Sequence, residues 1–523
     1  MIPVIDIFAG PGGLGEGFSA VGGTRRDRPF VITLSIEKDP VAYETLKLRT
    51  FFREYERRSV TSSYYDFVRG RISLQEMYVR HPVKAGIADT KVWLAELGSP
   101  TLRTEDVRHR IEAALDDRDD WVLIGGPPCQ AYSLAGRSRN HGKKGGYDPA
   151  DDKRNQLYLE YLQIIGDHWP AVFIMENVKG LLSATLDSQR IFHRILEDLR
   201  SPRRAIRREN RPIRGKRSHN YRIFSLVHPS MFSNGDLRNS VIRAERYGIP
   251  QARHRVILLG IRDDLGMVKP KNLVVQEPIP VWRVLGKLPI VRSGLSRCCD
   301  TRKEWTSVLR AGMNRSWFLS CPEKTMGNEL RTMLRTTMRE IEPPVHDRGG
   351  EFIQIDATPD YASKWFQDPK LDGVCHHSTR THMPNDLYRY LYAACYSKVH
   401  GRSPTLQNFP KDLLPEHENV GAALEDGGNF SDRFRVQMEG RPATTITSHI
   451  SKDGHYYIHY DPMQCRSLTV REAARIQTFP DNYCFIGPRT AQYAQVGNAV
   501  PPLLAKQIGE IVLDVLSQAG IEA

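Results

Sequence analysis

An α/β architecture is predicted, with a mostly parallel sheet covered by helices and a smaller, irregular mixed domain beside it. Three observations carry this reading. Short apolar, β-branched segments at 4–8, 31–36, 121–124, 172–175, 224–227 and 256–261 alternate with helix-like stretches, the rhythm of a parallel sheet. That rhythm stops after Asp263, and residues 263–465 carry many Pro, Gly, Arg and aromatic residues without a strand–helix repeat. Near the end, Pro501 and Pro502 mark a helix start, followed by Leu504, Ile508, Ile511, Val512 and Val515 on one face. The division expected is therefore a first domain over 1–262, elaborated at about 50–120, a second over 263–465, and a connecting helix with return to the first domain over 466–523.

The first strand runs into "DIFAGPGGLGEGF", residues 6–18, where Gly10, Gly12 and Gly15 satisfy G-x-G-x-x-G. Alone, that turn fits a dinucleotide as well as another nucleoside cofactor. Pro11 removes one N–H that a pyrophosphate would use, and Glu37, ending the second strand, suits the ribose hydroxyls of either. The stretch 50–120 reads as an elaboration packed on the first domain, with a helix at 107–115. Strand 121–124 runs into "GGPPCQAYS", which sets Cys129 just beyond a carboxyl end of the sheet, and strand 172–175 runs into "ENVKG", which brings Glu176 to the same edge. In "QARHR", Arg253 and Arg255 alternate along a strand entry and point to one side. "RSLTVREAARIQTFPD" reads as a helix with Thr469 as N-cap and Glu472 at capping-box spacing.

Composition limits the partners. Lys plus Arg exceed Asp plus Glu by 74 minus 61, a net charge of +13 over 523 residues, which suits a polyanion. Ten Lys and Arg fall between Arg200 and Arg222 with Glu209 as the single acid, a run read either as phosphate contact or as a solvated surface loop. The eight cysteines form no C-x-x-C pair and no Cys/His quartet, so free thiols in a reducing compartment and no metal site are expected. The longest apolar runs are strand-sized, which predicts no membrane span and a cytoplasmic protein. The glycine-rich, basic stretch 136–156 reads as a mobile lid or a plain surface loop, and "HHSTRTH", 376–382, as surface or polyanion-facing histidines.

Six segments in this order, "DIFAGPGGLGEGF", "GGPPCQAYS", "ENVKG", "QARHRVILLGIR", "RSLTVREAARIQTFPD" and "QVGNAVPPLLA", resemble the DNA (cytosine-5) methyltransferases, which use S-adenosylmethionine. The resemblance implies a Rossmann-like methyltransferase domain with a target-recognition domain over 263–465, acting on a cytosine flipped out of double-stranded DNA. It assigns Cys129 as the nucleophile on carbon 6, Glu176 as the acid at ring nitrogen 3, Arg255 as the residue positioning the base, and Arg253 as a second contact. For the methyl donor it implies Phe8, Gly10, Pro11 and Gly13 as lining, Glu37 on the ribose, and Pro128, Leu157, Asn498 and Val500 completing the site. Lys38 stands where the family often has an apolar residue against the adenine. For the family's acidic residue after the third strand only Asp89 and Asp106 offer themselves, and neither is assigned. The setting implied is a prokaryotic, nucleoid-associated restriction-modification or phage-defence enzyme, monomeric on DNA, with restriction or defence proteins as partners. The alternatives are an RNA cytosine-5 methyltransferase, an inactive DNA-binding homologue and, from the glycine turn alone, a nicotinamide-dependent oxidoreductase.

Overall fold

A computed structural model describes residues 1–22, 28–56, 59–127, 153–183, 185–186, 189–215, 217–228, 240–416, 420–421, 424 and 431–522. Alternation in β1 (Ile2–Ile7) sets the layers: Ile2 and Val4 face one core, Ile5 and Ile7 the other. The remaining strands of the sheet are β2 (Phe30–Glu37), β3 (Val92–Leu94), β4 (Val122–Gly125), β5 (Val172–Val178), β6 (Tyr221–Ser225), β7 (Val241–Arg243) and β8 (His254–Arg262). Their order is β3-β2-β1-β4-β5-β8-β6, with β7 also paired to β8. The first five run parallel, while β8 is antiparallel to β5, β6 and β7. All six strands expected from the sequence are present, and two are added: β3, hidden among helices, and β7.

Helices α1 (Gly13–Ser19), α2 (Pro40–Arg53), α3 (Thr104–Leu115) and α4 (Lys153–His168) follow β1, β2, β3 and β4 in the chain. The C-terminal helix, Pro502–Gln518, buries Leu504, Ile508, Val512 and Val515 in the same core as Ile2, Val4 and Phe18. No described helix is long and apolar enough to cross a membrane.

Two compact units divide the chain: 1–64, 73–277 and 499–523 in the first, 65–72 and 278–498 in the second. The first contains the sheet. Four of the ten cations in its basic run are paired with acids: Arg208, Arg211, Arg214 and Arg217 reach Asp198, Glu160, Glu112 and Asp119. These acids belong to other elements, so the segment is fastened across the unit instead of forming a free cationic loop.

The second unit is built on helices Asn328–Glu340 and Pro384–His400, whose Leu330, Leu334, Leu387 and Leu391 share a core with Trp305 and Trp317. Helix Val470–Ile476 starts at the expected capping box: the Thr469 hydroxyl accepts from the Glu472 N–H, and the Glu472 carboxylate from the Thr469 N–H. Three fully buried arginines around it tie distant loops together. Arg466 forms a double hydrogen bond to Glu472, Arg471 donates to the carbonyls of Cys375, Pro480 and Tyr483, and Arg475 to Asp481 and the carbonyls of Val284 and Ala357. Burial alone would raise the Glu472 carboxyl, but the Arg466 charge and hydrogen bonds hold it far below its usual range. The histidines of 376–382 are corrected here. His376, His377 and His382 are buried, and His377 is fixed between Thr469 Oγ1 and the Pro289 carbonyl. Burial drives His377 down to about 4 and His382 to about 3, so both are neutral parts of the core.

Candidate active site

Register in the first unit brings the chemistry-bearing segments to one edge. Ile7 of β1 lies level with Ile36 of β2 and Gly125 of β4, and Gly125 level with Met175 of β5. The carboxyl ends of these strands therefore share a rim. Because β8 is antiparallel, its amino end arrives there too, with Ile257 opposite Glu176 and Arg255 opposite Val178. Arg255 lies two positions from the cross-strand partner of Glu176, on the same face. Its Nε sits 2.7 Å from Glu176 Oε1, an ion pair of two side chains each about one-sixth exposed, although the angle is not that of an aligned hydrogen bond. The Arg255 guanidinium also donates to the His254 carbonyl at 2.8 Å.

Close approach is built in beside this pair. A Cβ on Gly126 would stand 3.0 Å from Glu176 Oε2, so the first residue past β4 must be small to leave the carboxyl in place. Cys129, Pro128 and residues 136–152 of the expected lid lie outside the described residues. Arg253 is only 2% exposed, and its carbonyl accepts from the Ala244 N–H. The structure thus sets Arg255 on Glu176.

The glycine turn leaves β1 through Phe8 (φ 54°), Gly10 (φ 56°) and Gly12 (φ 90°), all left-handed. Glu37 holds it: Oε2 accepts from the Gly10 N–H at 2.7 Å and Oε1 from the Asp39 N–H at 2.8 Å. The other glycines of the segment serve packing. A Cβ on Gly13 would fall 2.2 Å from the Val500 carbonyl oxygen, one on Gly17 2.4 Å from Ala505 Cβ, and one on Gly15 2.9 Å from Asp6 Oδ2. Gly13 and Val500 are thereby adjacent, as sequence reasoning requires of two residues lining one site. Asn498 is exposed and is the last residue of the second unit.

Lys38, just past β2, is exposed and pairs with Glu96 at 3.1 Å. Glu96 was missed by sequence reasoning. It stands two residues past β3, at the rim beside Glu37, whose carbonyl accepts from the Ala95 N–H at 2.9 Å. Leu157 of α4 comes to the same loop: a Cβ on Gly98 would be 3.4 Å from Leu157 Cδ2. The two acids the sequence offered have other partners, Asp89 with Lys47 and Asp106 with Arg103.

Asp6 is a second residue that sequence reasoning passed over. It is 1% exposed, and neither carboxyl oxygen has an aligned hydrogen-bond partner among the described residues. Burial raises it from 3.8 to about 7, with the Arg53 charge offsetting only part of the effect. An acid in "IPVIDI", among residues that all face a core, was the available signal. Glu16 of α1, one turn on, is buried against Arg49 of α2, which donates through Nε at 2.9 Å and holds the carboxyl below its usual range against the opposing effect of burial.

Comparison with known proteins identifies the family. Residues 94–202 and 236–513 match the family described as C-5 cytosine-specific DNA methylase. The chain is 30% identical over 537 aligned positions to the type II methyltransferase M.Bpa9945I of Bacillus paralicheniformis, covering 98% of this chain and 99% of that one. It is 25% identical to the DNA (cytosine-5-)-methyltransferase M.ApeKI of Aeropyrum pernix, over 80% of this chain and 86% of the relative. Among solved structures, a DNA modification methyltransferase encoded within an E. coli prophage shares the fold, with a TM-score of 0.50, 17% identity, and coverage of 99% of this chain and all of the other.

Proposed function

The chain belongs to the C-5 cytosine-specific DNA methylases, and on that premise we propose a sequence-specific, restriction-modification or phage-defence enzyme that methylates carbon 5 of a cytosine flipped out of duplex DNA. S-adenosylmethionine, the family's cofactor, supplies an electrophilic methyl group. The donor set fits it: Glu37 and Glu96 place carboxylates on adjacent strand ends, suited to hydroxyls and an amine, while Pro11 removes an N–H from the turn that would cradle a phosphate. Phe8, Gly10, Pro11 and Gly13 would line that site, with Glu37 on the ribose, Lys38 and Leu157 at its sides and Pro128, Asn498 and Val500 closing it.

The chain's own chemistry follows from cytosine being a poor carbon nucleophile. The Cys129 thiolate adds to carbon 6, and the electron pair gained by the ring lets carbon 5 take the methyl group as the methyl–sulfonium bond breaks. Loss of the carbon 5 proton to a base then expels the Cys129 sulfur from carbon 6, restoring the double bond and the free thiolate. As sulfur adds, ring nitrogen 3 must take up a proton, and Glu176 supplies it. Arg255 then stabilises the carboxylate left behind and fixes its direction. Arg253 serves as a second contact behind it. Attack perpendicular to the ring requires the base outside the stack. The second unit, with 263–277 leading into it, reads base edges. Restriction or defence partners, a monomeric state on DNA and a nucleoid-associated cytoplasmic location belong to the same reading.

The observation that carries it is the Glu176–Arg255 pair at the strand rim from which the Cys129 loop departs. The test is transfer of labelled methyl from S-adenosylmethionine to duplex DNA and, separately, to transfer RNA, followed by bisulfite sequencing. 5-Methylcytosine in one DNA context is expected. Label in RNA alone, or transfer to neither, would overturn the proposal.

A further inference from the structure

In the second unit, several arginine side chains near the surface are already engaged. Arg302 donates to the Pro343 and Pro344 carbonyls, Arg331 to those of Phe318 and Cys321, Arg335 lies over the Phe318 ring and Arg402 over Tyr396. Arg297 differs. It is exposed, and among the described residues it has no hydrogen-bond, ion-pair or ring partner. Its backbone is left-handed, φ 66°, a conformation that an L residue with a long side chain keeps only where the surroundings impose it.

Those surroundings are rigid. Gly294–Leu295 pairs in parallel with Thr381–His382, the Gly294 N–H donating to the Arg380 carbonyl at 2.8 Å and the Ser296 N–H to that of His382 at 2.9 Å. A Cβ on Gly294 would collide with the Arg348 guanidinium carbon and the Thr381 methyl, each at 2.7 Å. At the far end of the loop, Asp300 is gripped from two sides, by Arg292 at 2.6 Å and Arg348 at 2.8 Å. Arg292 is 1% exposed and bonds Asp347 as well. A loop of residues 293–300 is thus clamped at both feet and presents one unengaged guanidinium at its tip.

We propose that Arg297 is a specificity-determining residue that reads a guanine within the DNA sequence this enzyme methylates, an inference resting on the assignment of DNA recognition to the second unit. The guanidinium fork matches the paired O6 and N7 acceptors of guanine in the major groove. The clamped feet mean that little backbone freedom is lost when it docks. A phosphate contact would need neither the strained backbone nor the double clamp, since a flexible lysine satisfies a point charge.

The test uses a duplex library randomised around a central cytosine, incubated with S-adenosylmethionine and the full-length protein and read by bisulfite sequencing. For Arg297→Ala, kcat/KM in the preferred context should fall by about 10- to 100-fold, with base preference lost at a single G·C pair and the salt dependence of binding unchanged. Arg297→Lys keeps the charge and loses the fork, and should lose the same preference. Retention of the wild-type context and rate in both variants overturns the inference. So does a uniform loss across all contexts with a shallower salt dependence, the mark of a phosphate contact. A wild-type protein that methylates no DNA context overturns the parent reading and this one with it, a result distinct from active wild type with indifferent variants.

Discussion

Replacing Asp6 by Asn should make the protein's stability less sensitive to pH, with a sign opposite to that of most carboxylates. Its folded-state value lies above the unfolded one, near 7 against 3.8, because burial disfavours the charge. Between these values the folded state binds more protons than the unfolded state, so stability falls as pH rises and levels off above about 7. The full displacement corresponds to roughly 4 kcal/mol, of which roughly 2.5 kcal/mol is lost between about pH 5 and about pH 8. Asparagine is nearly the same shape, cannot ionise and carries no such loss. The assay is isothermal chemical denaturation of wild type and Asp6→Asn at both pH values, reading the difference of differences. The wild type should lose about 2.5 kcal/mol more than the variant over that span. Equal pH dependence in the two proteins would refute the reasoning, showing that Asp6 is solvated or paired as a carboxylate.

Glu176→Gln keeps the size of the side chain but removes the proton placed at ring nitrogen 3, so kcat should fall by about 10²- to 10⁴-fold while the dissociation constant of S-adenosylmethionine, measured by calorimetry, stays near wild type. Gly13→Ala sets a Cβ 2.2 Å from the Val500 carbonyl oxygen. It should displace the glycine turn, weakening donor binding by about 10-fold or more and destabilising the fold by about 1–3 kcal/mol, as read by calorimetry and denaturation. Glu472→Gln leaves the buried Arg466 without its charge partner and should destabilise the protein by about 3–5 kcal/mol in urea melts.

What the sequence made legible was whatever short-range pattern encodes. Strand alternation, the capping box at Thr469 and Glu472, the proline-led C-terminal helix and the arrival of Glu176 and Arg255 at one rim all follow from local periodicity plus the rule that ligands sit at strand carboxyl ends. What stayed hidden depends on partners far away in the chain. Glu96 was concealed because β3 is only three residues long and lies between helices, which gives no alternation to read. The histidines of 376–382 looked like surface residues until Thr469 and Pro289, nearly a hundred positions away on either side, closed over His377. The basic run looked free because Glu112, Asp119 and Glu160, which pair with three of its arginines, precede it by 50 to about 100 residues. The resemblance set Gly13 against the donor, yet the room it makes is also claimed by Val500, and that at Gly17 by Ala505, both from the other end of the sequence.

The central claim is that a thiolate from the β4 loop, a carboxyl from β5 and a guanidinium from β8 act on one flipped cytosine. A duplex containing 5-fluorocytosine in place of the target base tests it most directly, since fluorine at carbon 5 cannot leave as a proton does and the sulfur–carbon bond is trapped. Incubation with S-adenosylmethionine, protease digestion and mass spectrometry should find the nucleotide attached to the peptide containing Cys129, with trapping slowed in Glu176→Gln and Arg255→Ala. Methyl transfer without any adduct, or an adduct on a different cysteine, would contradict the account.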